Sequence, residues 1–171
     1  MKFSELKELL RKDRERWGNV PAIKLYFFQE EYRLIRLKRF CDYFKTKRML
    51  KPMYYWFRWR YHRYCRKCGC DIPSHVVFGG GIKLLHAWGI VINSECIIGE
   101  NVTIVSGTVI GGARAGVPRI GNNVMIGAHA LILGGVFVGD NSDIGAGAIV
   151  THDVPKGGVV FSEASKVRRI K

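Results

Sequence analysis

The chain has 171 residues, 47% of them hydrophobic, with a formal net charge of +14. This composition excludes a disordered polymer, and no run of about 18 apolar residues is present to form a membrane-spanning helix. The charge looks like that of a nucleic-acid binder until it is divided: residues 1–70 hold 20 of the 28 Lys and Arg against 7 acids, and residues 71–171 hold 8 against 7. Glycine divides the other way, 2 before residue 71 and 18 after it, while 16 of the 20 aromatics lie in the first part. A basic aromatic region, 1–70, therefore meets a glycine-rich region, 71–171.

In the first region "SELKELLRKDRERW" sets Leu6, Leu9, Leu10 and Trp17 near helical spacing, with Ser4 as N-cap and Gly18 as the stop. The charged start has no apolar core and is not expected to act as a secretion signal. Pro21 suits the first turn of a second helix, expected to run through "AIKLYFFQEEYRLIRLKRFCDYFKTKRML". Pro52 opens a third stretch that ends at Gly69. Its alternation of Tyr55, Phe57, Trp59 and Tyr61 with Arg58, Arg60 and His62 also fits a strand, but the two caps favour helix. Three readings of this region remain open: an aromatic face packed on the rest of the protein, a membrane-surface patch of Trp, Tyr and Arg, or, last, a nucleic-acid contact without a recognised motif. Five cysteines, three of them in "CRKCGC" (65–70), make poor disulfide arithmetic and point to a reducing compartment. A single cluster is also a weak zinc signature, even with His62 or His75 nearby, so no metal is expected.

The second region keeps a six-residue beat. Ile92, Ile98, Ile104 and Ile110 form one series; Ile120, Ile126, Ile132, Val138, Ile144 and Val150 form another. A small or β-branched residue follows four positions after each but Ile110, and a looser series runs Ile72, Phe78, Leu84. Such a period belongs to a solenoid of short parallel strands, with three faces and about 18 residues closing one triangular coil. Rungs would stack at about 4.8 Å.

The beat breaks three times. Near "LLHAWGIVIN" (84–93) it slips by two residues, beside a lone histidine, His86. "GGARAGVP" inserts four residues between Ile110 and Ile120. The series ends in "THDVPKGGVVFSEASKVRRIK".

With "DIPSH", "LLHAWGIVIN", "IIGENVTIVSGTVIGG", "PRIGNNVMIGAHALILGG" and "IGAGAIVTHDVP", residues 71–171 resemble the left-handed parallel β-helix acyltransferases with hexapeptide repeats. The similarity is to the serine acetyltransferases and the related capsular-polysaccharide O-acetyltransferases. It implies a mainly β fold, a left-handed parallel β-helix with an α-helical N-terminal region. It also implies acetyl-CoA as acyl donor, a homotrimer and a cytoplasmic enzyme, placed at the inner membrane face if residues 1–70 make the membrane contact, with no nucleic acid and no metal. His86 matches the family's catalytic histidine in its "H-x-x-G-I-V-I" context, and Asp71 its aspartate partner 15 residues earlier. Gly127, Ala128, Ala146, Thr151, His152 and Lys166 match positions around coenzyme A, with Arg168, Arg169 and Lys171 free to attract its phosphates. Trp88 and Arg114 are the residues expected to border the acceptor.

The match is incomplete. Val117 stands where serine acetyltransferases carry a second histidine, and Leu85 where they carry an aspartate, and both of those groups bind the amino acid. His152 replaces a lysine, and "SEASK" (162–166) keeps only Lys166 of a second motif. A sugar hydroxyl of a surface polysaccharide or its lipid-linked precursor is therefore the expected acceptor. Serine O-acetylation and a non-catalytic scaffold are the alternatives. His86, His129 and His152 do not reproduce the three-histidine metal site of the hexapeptide carbonic anhydrases. His129, in "GAHALI", is expected to face outward beside the cofactor groove.

Overall fold

The computed structural model describes residues 1–114 and 116–163. The six-residue beat becomes three parallel sheets visited in rotation. The first holds β1 (Val77–Phe78), β4 (Ile97–Ile98), β7 (Arg119–Ile120) and β10 (Phe137–Val138). The second holds β2 (Lys83–Leu85), β5 (Thr103–Val105), β8 (Met125–Ile126), β11 (Asp143–Ile144) and β13 (Val159–Val160). The third holds β3 (Val91–Ile92), β6 (Val109–Gly111), β9 (Leu131–Leu133) and β12 (Ile149–Val150). The result is a parallel β-solenoid of about four turns.

Both aliphatic series point inward. Leu84, Ile104, Ile126 and Ile144 stack in register in the second sheet, and Ile92, Ile110, Ile132 and Val150 in the third. All are buried, as are the small or β-branched residues of the companion series, Cys96, Val102, Thr108, Val124, Ala130, Val136, Ser142, Ala148 and Val154. Burial of each aliphatic contributes about 1.5–3 kcal/mol. The two polar members of the small series are satisfied by neighbouring backbone: the Thr108 hydroxyl donates to the Val105 and Gly127 carbonyls, and the Ser142 hydroxyl to the Pro155 carbonyl.

The interruptions leave the sheets intact. Ile132 pairs with Val150, 18 residues on, whereas Leu84 pairs with Ile104, 20 on, and Ile98 with Ile120, 22 on. The extra residues bulge at corners.

One corner has a device that the aliphatic beat does not announce. Asn101, Asn123 and Asn141 all take positive φ (57°, 54°, 58°) between the first and second sheets. The Asn101 amide donates to Asn123 Oδ1 at 3.1 Å, and the Asn123 amide to Asn141 Oδ1 at 3.0 Å. Asparagine tolerates this backbone better than other non-glycine residues. Its sequence trace is the repeated "GEN", "GNN", "GDN". Asn123→Ala removes both rungs of this ladder and places a Cβ residue without local compensation at positive φ. A loss of about 2 kcal/mol is expected, read from urea denaturation.

The basic region folds as four α-helices: α1 (Phe3–Glu15), α2 (Ala22–Phe28), α3 (Glu30–Lys45) and α4 (Lys51–Lys67). Two expectations change in detail. Ser4 lies inside the first turn of α1; the cap is Lys2, whose backbone N–H donates to Glu5 at 3.0 Å. The second helix is not continuous. Gln29 is extended (φ −109°, ψ 101°), which divides α2 from α3, and a 3-10 turn over Arg48–Leu50 precedes α4. The third stretch is helical, and Gly69 (φ 59°) ends its terminal turn as expected.

The helices close one end of the solenoid. The terminal rung of a parallel stack exposes backbone groups with no neighbouring strand. Here side chains take them. Asp13 Oδ1 accepts from the Gly81 and Ile82 N–H groups at 2.9 and 3.0 Å. Arg39 donates to the Phe78 and Gly79 carbonyls and pairs with Asp13 in a fork (2.8 and 3.0 Å). The Tyr61 hydroxyl donates to the Ile72 carbonyl at 2.9 Å. Asp13, Arg39 and Tyr61 are each 1% exposed, so this seam is dry. Leu34, Ile35, Tyr61 and Cys65 continue the solenoid core into the helices. No helix among the described residues is long and apolar enough to cross a membrane.

Candidate active site

The corner between the second and third sheets carries a column of left-handed backbone: His86 (φ 50°), Gly89, Gly107, His129 (φ 57°) and Gly147. Most of the column is threaded rung to rung by backbone hydrogen bonds, from Gly107 N–H to Trp88 O, His129 N–H to Ser106 O and Gly147 N–H to Ala128 O, each 2.7–2.9 Å. His86 sits in the two-residue bulge at the head of that column. The Trp88 N–H donates back to the His86 carbonyl at 2.6 Å, and the Gly89 N–H reaches the Cys68 carbonyl. The bulge turns the imidazole out of the coil into solvent, and Trp88 beside it is also exposed.

Asp71 forms an isolated parallel bridge to Val91, so it lies on the third sheet's face one rung from Val91. Its N–H donates to the Ile90 carbonyl, and its carbonyl accepts from Ile92. Because this coil is 20 residues long, not 18, Asp71 stands just past the His86 corner rather than on it. Among the described residues no hydrogen bond joins the two side chains. The Cys70 thiol provides a tie between these segments, donating to the Ala87 carbonyl at 3.1 Å.

His62 of α4 was not singled out for this site by its sequence context. Burial first, then the Arg58 and Arg66 charges, hold its imidazole below the usual histidine range, while the Asp71 carboxylate pulls the other way. The cysteines are all unpaired and buried. Burial pushes Cys65 up to about 12, partly opposed by the Tyr61 hydroxyl, and Cys68 up to about 11. These are protonated packing thiols rather than nucleophiles. Among the described residues no three His, Cys, Asp or Glu side chains converge as a metal site would require.

Further along the same corner lie Ala128 and Ala146. The N–H groups of Ala128 and Ala146, one rung apart, donate to no protein acceptor among the described residues. Such N–H groups can receive the carbonyls of an extended ligand lying along the stack. Gly127 has a packing reason of its own: a Cβ there would lie 2.5 Å from the Ala146 nitrogen. Gly127→Ala should push the two rungs apart at this corner, costing about 1–3 kcal/mol. A raised KM for acetyl-CoA in steady-state kinetics, with a lowered melting temperature, is the expected reading. His129 is exposed, and its ring packs over Gly107, where a Cβ would lie 2.3 Å from Nδ1.

The remaining candidates stand elsewhere. Arg114 is at the tip of a loop closed by paired Ala113 and Gly116 backbone bonds (2.9 and 3.0 Å), between β6 and β7. That is the corner joining the third sheet to the first. Thr151 and His152 occupy the same corner three residues or fewer past β12, both exposed, with Thr151 Oγ1 3.1 Å from His152 Nδ1. Within one chain the predicted site is thus split: His86, Trp88, Ala128 and Ala146 on one corner, Arg114, Thr151 and His152 on another. Lys166, Arg168, Arg169 and Lys171 lie outside the described residues.

Comparison with known proteins bears on what this corner does. A family model described as the hexapeptide repeat of succinyl-transferase matches residues 119–152. WcaB of Escherichia coli (strain K12), named for an acetyltransferase step of colanic acid biosynthesis, is 31% identical over 141 residues. That match covers 80% of this chain and 87% of WcaB. The chain belongs to the hexapeptide-repeat acetyltransferase family. It is an acyltransferase, and acetyltransferases of this family use acetyl-CoA. Within the family, serine acetyltransferase of Bacillus subtilis (strain 168) is 36% identical over 113 residues, 59% of this chain but 52% of that enzyme. This chain thus spans about half the length of that relative. The crystal structure of Neisseria gonorrhoeae serine acetyltransferase with serine superposes with a TM-score of 0.78 at 27% identity, covering 96% of this chain and 69% of that one.

Proposed function

We propose that this hexapeptide-repeat acetyltransferase moves an acetyl group from acetyl-CoA to a sugar hydroxyl of a surface polysaccharide, such as a capsule, or of its lipid-linked precursor. His86 is the general base. The observation that carries the chemistry is an exposed imidazole, held at positive φ in a bulged corner, at the head of the same column that carries the Ala128 and Ala146 N–H groups, which donate to no protein acceptor among the described residues. His86 takes the acceptor hydroxyl proton as that oxygen attacks the thioester carbonyl. The tetrahedral oxyanion is met by a backbone N–H of this corner. Collapse breaks the C–S bond, and the imidazolium returns its proton to the departing thiolate. Asp71, one rung away, favours the imidazolium electrostatically.

The sugar acceptor rests on two positions. Leu85 ends β2 opposite Val105 and supplies no carboxylate beside His86. Val117 packs against the core and supplies no imidazole. The extended match to WcaB, over most of both chains, supports the same reading. Serine as acceptor is the second reading, favoured by the likeness to the serine-bound Neisseria enzyme. The split of the candidates over two corners supports a homotrimer in which one copy's His86 corner faces another copy's Arg114 corner. A cytoplasmic enzyme is part of the proposal.

Release of free coenzyme A from acetyl-CoA, with serine and with a panel of sugars and glycan fragments, tests it. Turnover with a sugar, abolished by His86 substitution, is expected. Turnover with serine alone would transfer the assignment to the second reading. No turnover and no acetyl-CoA binding would favour a scaffold.

A further inference from the structure

We propose that the outward face of α2, α3 and α4 docks on an anionic lipid bilayer, with headgroup phosphates received in an arginine cleft between the three helices. The cleft has a volume of about 150 Å³ and presents Arg33, Arg36 and Arg60 between walls that include Tyr26, Phe40 and Trp56. No acidic side chain lines it.

The arginines are held by rings rather than by carboxylates. The Arg36 guanidinium lies 5.8 Å from the centroids of Tyr26, Tyr32 and Phe40, and that of Arg60 lies 5.2 Å from Trp56. Among the described residues Arg36 and Arg60 have no salt-bridge partner, and Arg33 has a loose one in Glu30 at 3.6 Å. Guanidinium groups stacked on aromatic faces keep their donors directed outward, at little further entropic cost on binding an anion.

The exposed apolar side chains of these helices and of the turn between α3 and α4 decide which anion. Met49 is 94% exposed and Phe28 75%, with Trp56 and Trp59 about half exposed. Lys45, Lys47, Arg48 and Lys51 flank Met49 in the chain. Large apolar side chains held out among bases gain nothing from a polyanion in water. They gain burial in the acyl boundary of a bilayer, where Trp and Tyr settle at headgroup depth. The net charge of +13 over residues 1–70 matches an anionic leaflet. The helices carrying it are too short or too polar to cross, so the chain would lie on the surface. This inference stands whether the acceptor is a sugar or serine.

The test is co-sedimentation of the full chain with vesicles of phosphatidylcholine alone and of phosphatidylcholine mixed with phosphatidylglycerol, at low and high salt. Binding to the mixed vesicles only, weakened by salt, is expected. Arg36→Gln with Arg60→Gln should weaken it about thirty-fold, from about 1 kcal/mol per basic residue. Phe28→Ser with Met49→Ser should weaken it at unchanged charge. Melting curves of both pairs control for folding. Absent binding, equal binding to neutral vesicles, or insensitivity to both pairs overturns the proposal. So does a short RNA that displaces the chain from the vesicles while the Phe28/Met49 pair binds it normally, or a loss of oligomer mass in the variants with vesicle binding intact, which would mean a second copy covers this face.

Discussion

His86→Asn should lower kcat for acetyl transfer by about 10²–10⁴-fold, the usual contribution of a positioned general base. Asparagine is the informative substitution because His86 sits at φ 50°, a conformation that asparagine tolerates and alanine does not. The imidazole is exposed and makes no side-chain hydrogen bond among the described residues, so His86→Asn should melt with the unaltered chain. His86→Ala should lose the same activity and about 1 kcal/mol of stability besides, through backbone strain alone. The readout is coenzyme A release under saturating acetyl-CoA, beside thermal melting. Activity within tenfold of the parent in His86→Asn would remove the general-base assignment. Lost activity with an equally lowered melting temperature would make His86 a structural corner residue.

Asp13→Ala should destabilise the fold by about 3–5 kcal/mol, a large share of the 5–15 kcal/mol that holds a typical domain. The variant leaves the Arg39 guanidinium charged and 1% exposed, and strips two N–H groups of the end rung of their acceptor. Replacing the pair together, Asp13→Leu with Arg39→Met, should cost less than the sum of the single changes, because no charge is then buried alone. Urea denaturation of the parent, Asp13→Leu, Arg39→Met and the double variant measures the coupling. A single-site cost below about 1 kcal/mol, or strict additivity, would mean that the seam is held by apolar packing of Leu34, Ile35 and Tyr61 rather than by the ion pair.

The solenoid was legible because its information is local and repeated. A six-residue step in Ile and Val states which side chains face inward, and every residue of both aliphatic series is buried. The breaks were legible for the same reason: a strict period makes His86 and the Arg114 loop conspicuous. The asparagine ladder left a trace in "GEN", "GNN" and "GDN" but takes its meaning only from stacking, since its hydrogen bonds join residues 18 or 22 apart.

What the sequence alone determined, then, is the coil: the step, the inward columns and the corner where an imidazole must leave the stack. The tertiary structure decided everything that depends on which rung lies above which. Asp71 stands past the His86 corner because the two-residue bulge lengthens that coil. Arg114, Thr151 and His152 fall on a different corner from His86 because their strands belong to a different junction of the sheets. Asp13 and Arg39, 26 residues apart and unmarked by any motif, seal the open rung. A periodic pattern fixes a residue's face through its own neighbours in the chain. A partner across a coil, or across a helix-to-solenoid seam, is fixed by the unsatisfied backbone that only the assembled stack exposes.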